Sequence, residues 1–229
     1  MDISQIILLS LKVSIVAMLA SLPIAFLLAY VLARGRFAGK ILLDALVSLP
    51  LVLPPVVTGW LLLLAFGNTG PVGRLLNTTL GFTFMFRWTG AALAAAIMAL
   101  PLMVRAMRLS IEAVDRRLEG AARTLGASPT RVFFSITLPL SVPGILAGAV
   151  LGFARSMGEF GATITFVSNI PGETQTLPIA IHAALQNPGG EGIVTQLTLT
   201  SVALSFCALL ASEVLARRSA VNKGHDHVL

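Results

Sequence analysis

Two charged residues lie inside an otherwise apolar stretch of the chain. Arg155 and Glu159 are four residues apart, a spacing that places both side chains on one face of a helix. A charge inside a membrane-spanning helix is costly and usually faces the bundle interior or a water-filled path. The pair therefore predicts either a gate or path for a charged substrate, or a mutually neutralising structural contact, and both interpretations stand.

The sequence carries no other arrangement that indicates catalysis. Cys207 is the single cysteine, so neither an intrachain disulfide nor a cysteine-based metal site is expected. A phosphate-binding loop needs four residues between its first glycine and Gly-Lys-Ser/Thr, whereas residues 35–41 have three and end in isoleucine. His182 is isolated, and residues 225–227, His-Asp-His, lie in a short tail. We expect no metal, no cofactor and no enzymatic activity in this chain.

The composition explains why so few residues could do chemistry. Of 229 residues, 56% are hydrophobic and 11% are charged, whereas a typical soluble domain is about 25% charged. These values exclude an ordinary soluble domain and a disordered chain. The net charge of +6 comes from basic residues between apolar runs, which favours a membrane protein over a nucleic-acid-binding protein.

Long uncharged runs predict one all-α domain, 1–229, built as a bundle of five membrane-spanning helices. A helix needs about 20 apolar residues to cross the hydrocarbon core. The predicted spans are 9–33, 41–66, 88–107, 140–166 and 193–216, with a cytoplasmic loop at 108–139 and a tail at 217–229. The apolar segment 177–185 is too short to cross, and a surface or re-entrant helix is expected there.

Basic residues set the orientation of the spans. Twelve follow spans one, three and five, whereas only Arg74 and Arg87 lie on the opposite side. The side richer in lysine and arginine faces the cytoplasm, so we expect the N-terminus outside and the C-terminus in the cytoplasm. The twelve are Arg34, Arg36, Lys40, Arg105, Arg108, Arg116, Arg117, Arg123, Arg131, Arg217, Arg218 and Lys223.

Prolines in span two predict an irregular helix, and small residues in span four predict close helix packing. Pro50, Pro54 and Pro55 each remove a backbone donor from span two. We interpret this span as a kinked, pore-lining helix, with a kink that only serves packing as the alternative. Span four carries small residues four apart, along which a helix of the same chain or of a second copy can approach closely. They are Gly144, Gly148, Gly152 and Ser156.

The cytoplasmic segment predicts a helix that ends at a glycine. An apolar stripe at helical spacing runs along one side of it. The stripe consists of Val114, Leu118, Ala122 and Leu125. Two ion pairs with i,i+4 spacing are expected on the other side. They are Glu112 with Arg116 and Glu119 with Arg123. Gly126 ends the helix because glycine readily takes the left-handed conformation needed there.

A second short helix is predicted after Gly126. Ser128 caps it, Pro129 takes its first position, and it ends before Leu138-Pro139. Its apolar residues are Val132, Phe133, Phe134 and Ile136. A helix–glycine–helix unit with exposed apolar residues suits either docking into a groove of a soluble partner or lying on the anionic membrane surface.

The same segment resembles a known motif. Residues 120–126 read Gly-Ala-Ala-Arg-Thr-Leu-Gly, and after nine residues 136–139 read Ile-Thr-Leu-Pro. This pattern is similar to the EAA loop of binding-protein-dependent ABC importer permeases: Glu-Ala-Ala, three residues, Gly, nine residues, Ile-x-Leu-Pro. Gly120 stands where the motif has glutamate, and Glu119 is one place early. The resemblance implies an ATPase-coupling loop through Gly120, Ala121, Ala122, Leu125, Gly126, Phe133, Ile136, Leu138 and Pro139.

Two further stretches, 49–57 and 158–174, are similar to the molybdate permease subfamily, and the second also resembles sulfate permeases. The resemblance implies a type I ABC importer permease fold and a homodimer in the inner membrane of a bacterium. Two ATPase subunits, which hold ATP and Mg, would dock inside, and a molybdate-binding protein would dock outside. The chain itself would form the translocation path for molybdate or tungstate.

Other functions compete with this expectation. A permease for sulfate, thiosulfate or another oxyanion would differ only in its cargo. An ion-coupled secondary transporter would work without an ATPase, and five spans fit inverted repeats poorly unless a dimer supplies the symmetry. An intramembrane enzyme would need a clustered catalytic site. A membrane scaffold would need neither the prolines of span two nor the glycine between the loop helices.

Overall fold

The computed structural model describes the backbone of residues 2–224 and the side chains of residues 2–207 and 210. The His-Asp-His sequence at 225–227 lies outside the described residues. Over the described range the regular structure is helical. The elements are α1 (Ile3–Arg34), α2 (Lys40–Val52), α3 (Pro55–Phe66), α4 (Pro71–Leu80), α5 (Trp88–Glu112), α6 (Arg116–Thr124), α7 (Pro129–Val132), a π-helix (Phe133–Thr137), α8 (Leu138–Met157), α9 (Gly161–Val167), α10 (Leu177–Leu185) and α11 (Glu191–Gly224).

Three long helices, α1, α5 and α8, form the centre of the bundle and pack against one another. α5 is the most enclosed, because its alanines allow neighbouring backbones to come close while Met98, Met103 and Met107 fill the remaining space. α1 begins at Asp2, whose carboxylate accepts hydrogen bonds from the backbone and the hydroxyl of Ser4. The hydroxyl bond is the largest contribution that holds the pKa of Asp2 below its ordinary value.

The ridge of small residues on α8 packs against α5 of the same chain. A Cβ added to Gly144 would overlap Ser110, and one added to Gly148 would lie 2.9 Å from Cε of Met107. A Cβ on Gly152 would meet Met103. Such distances leave no room for a larger side chain, so the two backbones can approach only because the ridge lacks side chains. The predicted close packing is confirmed, and the neighbour is intramolecular.

The second predicted span, 41–66, is not one helix. α2 ends at Val52, α3 begins at Pro55, and the two are bent by 114°. Leu53 and Pro54 both have extended backbones, with ψ of 140° and 135°, because each precedes a proline that disfavours helical geometry. The sequence predicted a kink at these prolines, but the structure has a full break.

Both predicted boundaries of the fourth span, 140–166, are wrong. Its helix extends back through the π-helix to Pro129 and stops at Met157, and a separate helix, α9, begins at Gly161. Between them, Oε1 of Glu159 accepts a hydrogen bond from the backbone N–H of Ala162 at 2.8 Å. This side chain satisfies a free donor at the start of α9, which makes the break favourable.

Fewer spans than the predicted five qualify by length and composition in the described part of the chain. Three single helices do so, α1, α5 and the helix from Pro129 to Met157, and the bent pair α2–α3 makes a fourth. The fifth, 193–216, falls in α11, and most of its side chains beyond 207 lie outside the described set, so this span stays a prediction. The short helix expected at 177–185 is confirmed as α10.

Candidate functional site

The predicted coupling loop takes the form of two short helices on either side of a glycine. Gly126 has φ of +85°, the left-handed region that glycine adopts without strain. The hydroxyl of Ser128 accepts a hydrogen bond from the backbone N–H of Arg131 at 3.3 Å, and Pro129 is the first residue of α7. The helix end, cap and helix start predicted here are confirmed.

The outer surface of this unit carries large apolar side chains. Leu125 is 88% exposed, Phe134 65% and Leu118 50%. Ala122 and Ile136 line the groove between α6 and the π-helix, next to the exposed Leu125. Leu125 and this groove offer an apolar surface for contact with another molecule.

The apolar stripe does not follow one continuous helix. α5 runs to Glu112, and α6 starts only at Arg116, capped by the carboxylate of Asp115, which accepts from the N–H of Arg117 at 2.9 Å. Val114 lies in the link between them and is buried. The predicted loop, 108–139, therefore narrows to the stretch between Glu112 and Pro129 because both flanking helices extend into it.

The two ion pairs predicted along the loop are also wrong. Glu112 pairs with Arg108, one turn earlier, at 2.8 Å. Glu119 turns inward and pairs with Arg34, the last residue of α1, at 2.9 Å. Both carboxylates thus find arginines that come from the spans, and the arginine expected to follow each one does not take part.

The second loop helix does not end before Leu138-Pro139. It widens into a π-helix, in which the N–H of Leu138 bonds to the carbonyl of Phe133, and continues directly into α8. Pro139 therefore lies inside a continuous helix, where it removes one backbone N–H donor directly after the π-helix. The ring of Phe133 packs edge-on against Tyr30 and Phe26 of α1, with centroids 5.3 and 6.1 Å away. The loop is therefore joined to α8 without an intervening hinge.

Gly120, which stands where the motif has glutamate, is next to open space. No atom lies within 4 Å of a Cβ built on Gly120, and Gly120 and Ala121 are exposed. Glu119, one residue earlier, is half-buried, so the departure from the motif changes which side of α6 carries the carboxylate.

The two helix breaks lie next to each other. A Cβ added to Gly161, at the start of α9, would lie 2.7 Å from the Cβ of Pro55, at the start of α3. Gly59 packs equally closely against Ala162 and Thr165. Pro54 and Pro55 are exposed. The prolines of span two and the end of span four, predicted separately, thus form one region.

Arg155 and Glu159 form an ion pair in this region. Nη1 of Arg155 lies 2.7 Å from Oε2 of Glu159, and the two side chains are 26% and 2% exposed. Glu159 sits in the break and not one turn further along a continuous helix. The pairing predicted from the spacing is confirmed. Because Arg155 is the more exposed partner, it is the one that can meet a solvated anion.

Two participants in these sites gave no signal in the sequence. Arg34 and Thr137 contact Glu119 from 85 and 18 residues away. Arg34 lies outside the quoted motif, and Thr137 stands at its variable position. The Lys12 amine, a charge inside span one, lies 3.8 Å from the centroid of the Trp88 ring, a cation–π contact that offsets its position.

Comparison with known proteins identifies the family. Residues 21–221 match the family described as "Binding-protein-dependent transport system inner membrane component". This chain belongs to that family. Among its curated relatives, the Molybdenum transport system permease protein ModB of Escherichia coli K12 is 58% identical over 220 residues, 96% of each chain. ModB of Haemophilus influenzae is 55% identical over 228 residues, 100% of this chain and 99% of the relative.

Solved structures of importer permeases share the fold of this family member. The MetNI methionine ABC transporter in an inward-facing conformation gives a TM-score of 0.69 at 14% identity, covering 95% of this chain. A bacterial ABC transporter that imports the acidic polysaccharide alginate gives 0.75 at 19%, covering 93% of this chain and 78% of that one. The expected all-helical importer permease fold is confirmed, and the chain is a multi-pass inner-membrane component.

Proposed function

We propose that this chain is the permease subunit of a molybdate importer. The observation that carries the proposal is the 58% identity to Escherichia coli ModB across 96% of both chains. Transport systems of this family depend on a binding protein, and a chain without a nucleotide-binding motif of its own needs a separate ATPase. We assign no catalytic role and no bound cofactor to this chain, since ATP and Mg belong to the ATPase.

The cytoplasmic unit around Gly126 is the proposed docking site of the ATPase. Its apolar residues, above all Leu125 and Phe134, would fill a groove on that subunit, and the π-helix would pass the resulting movement directly to α8. Two chains would form the membrane part, each with one ATPase, and a molybdate-binding protein would dock on the outer side.

The paired helix breaks are the proposed translocation path. Freed backbone groups at Leu53–Pro54 and at 158–160 are tolerated in a membrane only beside protein or a water-filled cavity. Arg155 is the partly exposed cation at this place, so it would attract an oxyanion released from the binding protein, with Glu159 holding its side chain in position.

Uptake into vesicles tests the proposed cargo. The full complex is reconstituted with its binding protein, and import of labelled molybdate, tungstate and sulfate is measured with and without ATP. We expect ATP-dependent import of molybdate and tungstate well above that of sulfate. Sulfate import at the molybdate rate would favour the competing assignment, since sulfate permease 2 of Chlamydomonas reinhardtii is 42% identical over 74% of this chain. Import without a copurifying ATPase would favour a secondary transporter.

The proposed orientation is tested with reporter fusions. A reporter after Leu229 should read cytoplasmic, and one within 68–77 should read periplasmic, because twelve basic residues lie on the first side and two on the second. A periplasmic C-terminus would contradict the proposal. With 68–77 also periplasmic it would mean an even number of crossings between the two reporters, and with 68–77 cytoplasmic it would mean the inverted orientation.

A further inference from the structure

The loop helix α6 packs only shallowly against its neighbours, α7 and the π-helix. None of its nine residues is buried, and irregular links, 113–115 and 125–128, join it to α5 and α7. A helix this short is not stable by itself in water. Its orientation relative to the spans therefore depends on particular side-chain contacts.

The contacts converge on one carboxylate oxygen. Oε1 of Glu119 lies 2.9 Å from Nη2 of Arg34, at the end of α1, and accepts a hydrogen bond of 2.7 Å from the Thr137 hydroxyl, in the π-helix. The same Nη2 donates to the carbonyl of Val114 at 3.3 Å, in the link before α6. One oxygen thus joins α1, α6 and the segment that leads into α8.

This network is shielded from water. The side chains of Arg34 and Glu119 are 13% and 15% exposed, and Thr137 is buried. Water and salt screen such a pair less than a surface pair, and hydrogen bonds to an ionised acceptor are stronger than those between neutral groups. The pair Arg108–Asp44 on the same side of the bundle is more open, at 27% and 47% exposed.

We propose that Arg34, Glu119 and Thr137 form a clamp that makes α6 move together with α1 and α8. A displacement of the loop then reaches two spans at once, whereas without the clamp α6 could tilt in the docking groove and leave α1 behind. Glu119 acts here as a positioning residue for coupling, through its contacts with Arg34 and Thr137. The inference rests on the proposed docking of an ATPase at this loop.

The test separates import from ATP hydrolysis. The reconstituted complex carrying Glu119→Gln keeps a side chain of the same size but loses the charge. We expect molybdate import to fall at least fivefold while ATPase retention and ATP hydrolysis stay within twofold of wild type, so that fewer ions are imported for each ATP. The matched control is Asp44→Asn, which removes an arginine-paired carboxylate that joins α2 to α5 and lies outside the loop. Its import should stay within twofold.

A charge swap tests whether the ion pair itself matters. Arg34→Glu alone and Glu119→Arg alone each place like charges together, and both should uncouple hydrolysis from import. The double variant restores opposite charges and should recover at least half of the wild-type import for each ATP. If Glu119→Gln is not recovered from membranes, Thr137→Val carries the same test with a smaller expected loss, about twofold to threefold.

Three results would overturn the clamp. Glu119→Gln could import at the wild-type rate. It could lose the ATPase during purification, which would make Glu119 a docking contact. The double swap could remain as impaired as the single swaps. If the wild-type chain retains no ATPase, the proposed function itself fails. If the wild-type complex imports molybdate and the Glu119→Gln complex imports as many ions for each ATP, only the clamp is wrong.

Discussion

In the described part of the chain, two arginine–glutamate pairs have a carboxylate that is largely shielded from water, and the two pairs are built in different ways. Arg155 and Glu159 are four residues apart and join the end of α8 to the start of α9. Arg34 and Glu119 are 85 residues apart and join α1 to the loop helix α6. The first pair holds a local break in the backbone, and the second holds two separate elements together.

The difference shows what each pair can transmit. A contact within one turn stabilises a local shape and constrains only the residues beside it. A contact between distant elements makes their movements dependent on each other, because neither can shift without separating two partly desolvated charges. We therefore connect the first pair with the shape of the path and the second with coupling between loop and spans.

Removing the arginine of the first pair should have the largest effect on stability. Arg155→Gln leaves the carboxylate of Glu159, 2% exposed, without its charged partner, and we expect a loss of about 3 kcal/mol. Unfolding by sodium dodecyl sulfate in mixed micelles measures it. A loss below about 1 kcal/mol would show that water solvates Glu159 in the membrane.

The double variant Arg155→Gln/Glu159→Gln separates structure from transport at this pair. It removes both charges and should recover most of the lost stability, because the glutamine oxygen can still accept from Ala162. If molybdate uptake stays low in the stable double variant, Arg155 acts on the anion. If uptake returns, the pair is structural and the proposed role of Arg155 in the path is wrong.

The same change in the second pair should cost less. Arg34→Gln leaves Glu119 15% exposed and still bonded to Thr137, and we expect a loss of about 2 kcal/mol. The same mixed-micelle titration measures it beside Arg155→Gln. A loss equal to or above that of Arg155→Gln would mean that the separation of the partners along the chain, and not their burial, sets the energy.

A substitution of Gly126 should have a smaller effect on folding but a specific effect on docking. A β-branched residue at φ of +85° is strained by about 1–2 kcal/mol, so Gly126→Val should change the angle between α6 and α7 and weaken ATPase retention without preventing membrane insertion. Gly126→Asn is the control, since asparagine tolerates this conformation. Normal ATPase retention and normal transport in Gly126→Val would remove the docking assignment.

The smallest effect is expected at the open ion pair between α2 and α5. Asp44 is 47% exposed, and Arg108 keeps its second partner, Glu112, at 2.8 Å when Asp44 is changed. Asp44→Asn should therefore shift the free energy of unfolding by less than about 0.5 kcal/mol. A shift as large as that of Arg34→Gln would show that burial does not distinguish the pairs.

The predictable parts of the site are those encoded within about one helical turn. The spacing of Arg155 and Glu159, the glycine at 126 and the cap at Ser128 could all be read from neighbouring residues. The Arg34–Glu119 contact could not, because Glu119 has arginines nearby on the chain and only the packing of α1 against the loop decides which one it meets. The sequence also did not reveal Asp115 as the cap of α6. Here the local pattern was misleading, since the apolar stripe through Val114 suggested an unbroken helix.

The fold likewise divides into features that nearby residues determine and features that tertiary packing determines. Long apolar runs located the central helices, and the glycine ridge predicted close packing, because both depend on composition and period. The 114° bend at Pro54 and the break before Gly161 were underestimated. A proline predicts a disturbance but not its angle, and here the angle depends on how α3 and α9 pack through Gly59 and Gly161.

The exposed apolar face of the loop around Gly126 has a consequence for the amount of the protein in the cell. A chain made in excess of the proposed ATPase leaves Leu125 exposed, and exposed apolar side chains favour self-association and recognition by proteases and chaperones. If the proposed ATPase covers this face, we expect surplus copies of the chain to be degraded. The abundance of the membrane subunit would then follow that of the proposed ATPase, and the two components would be balanced after synthesis.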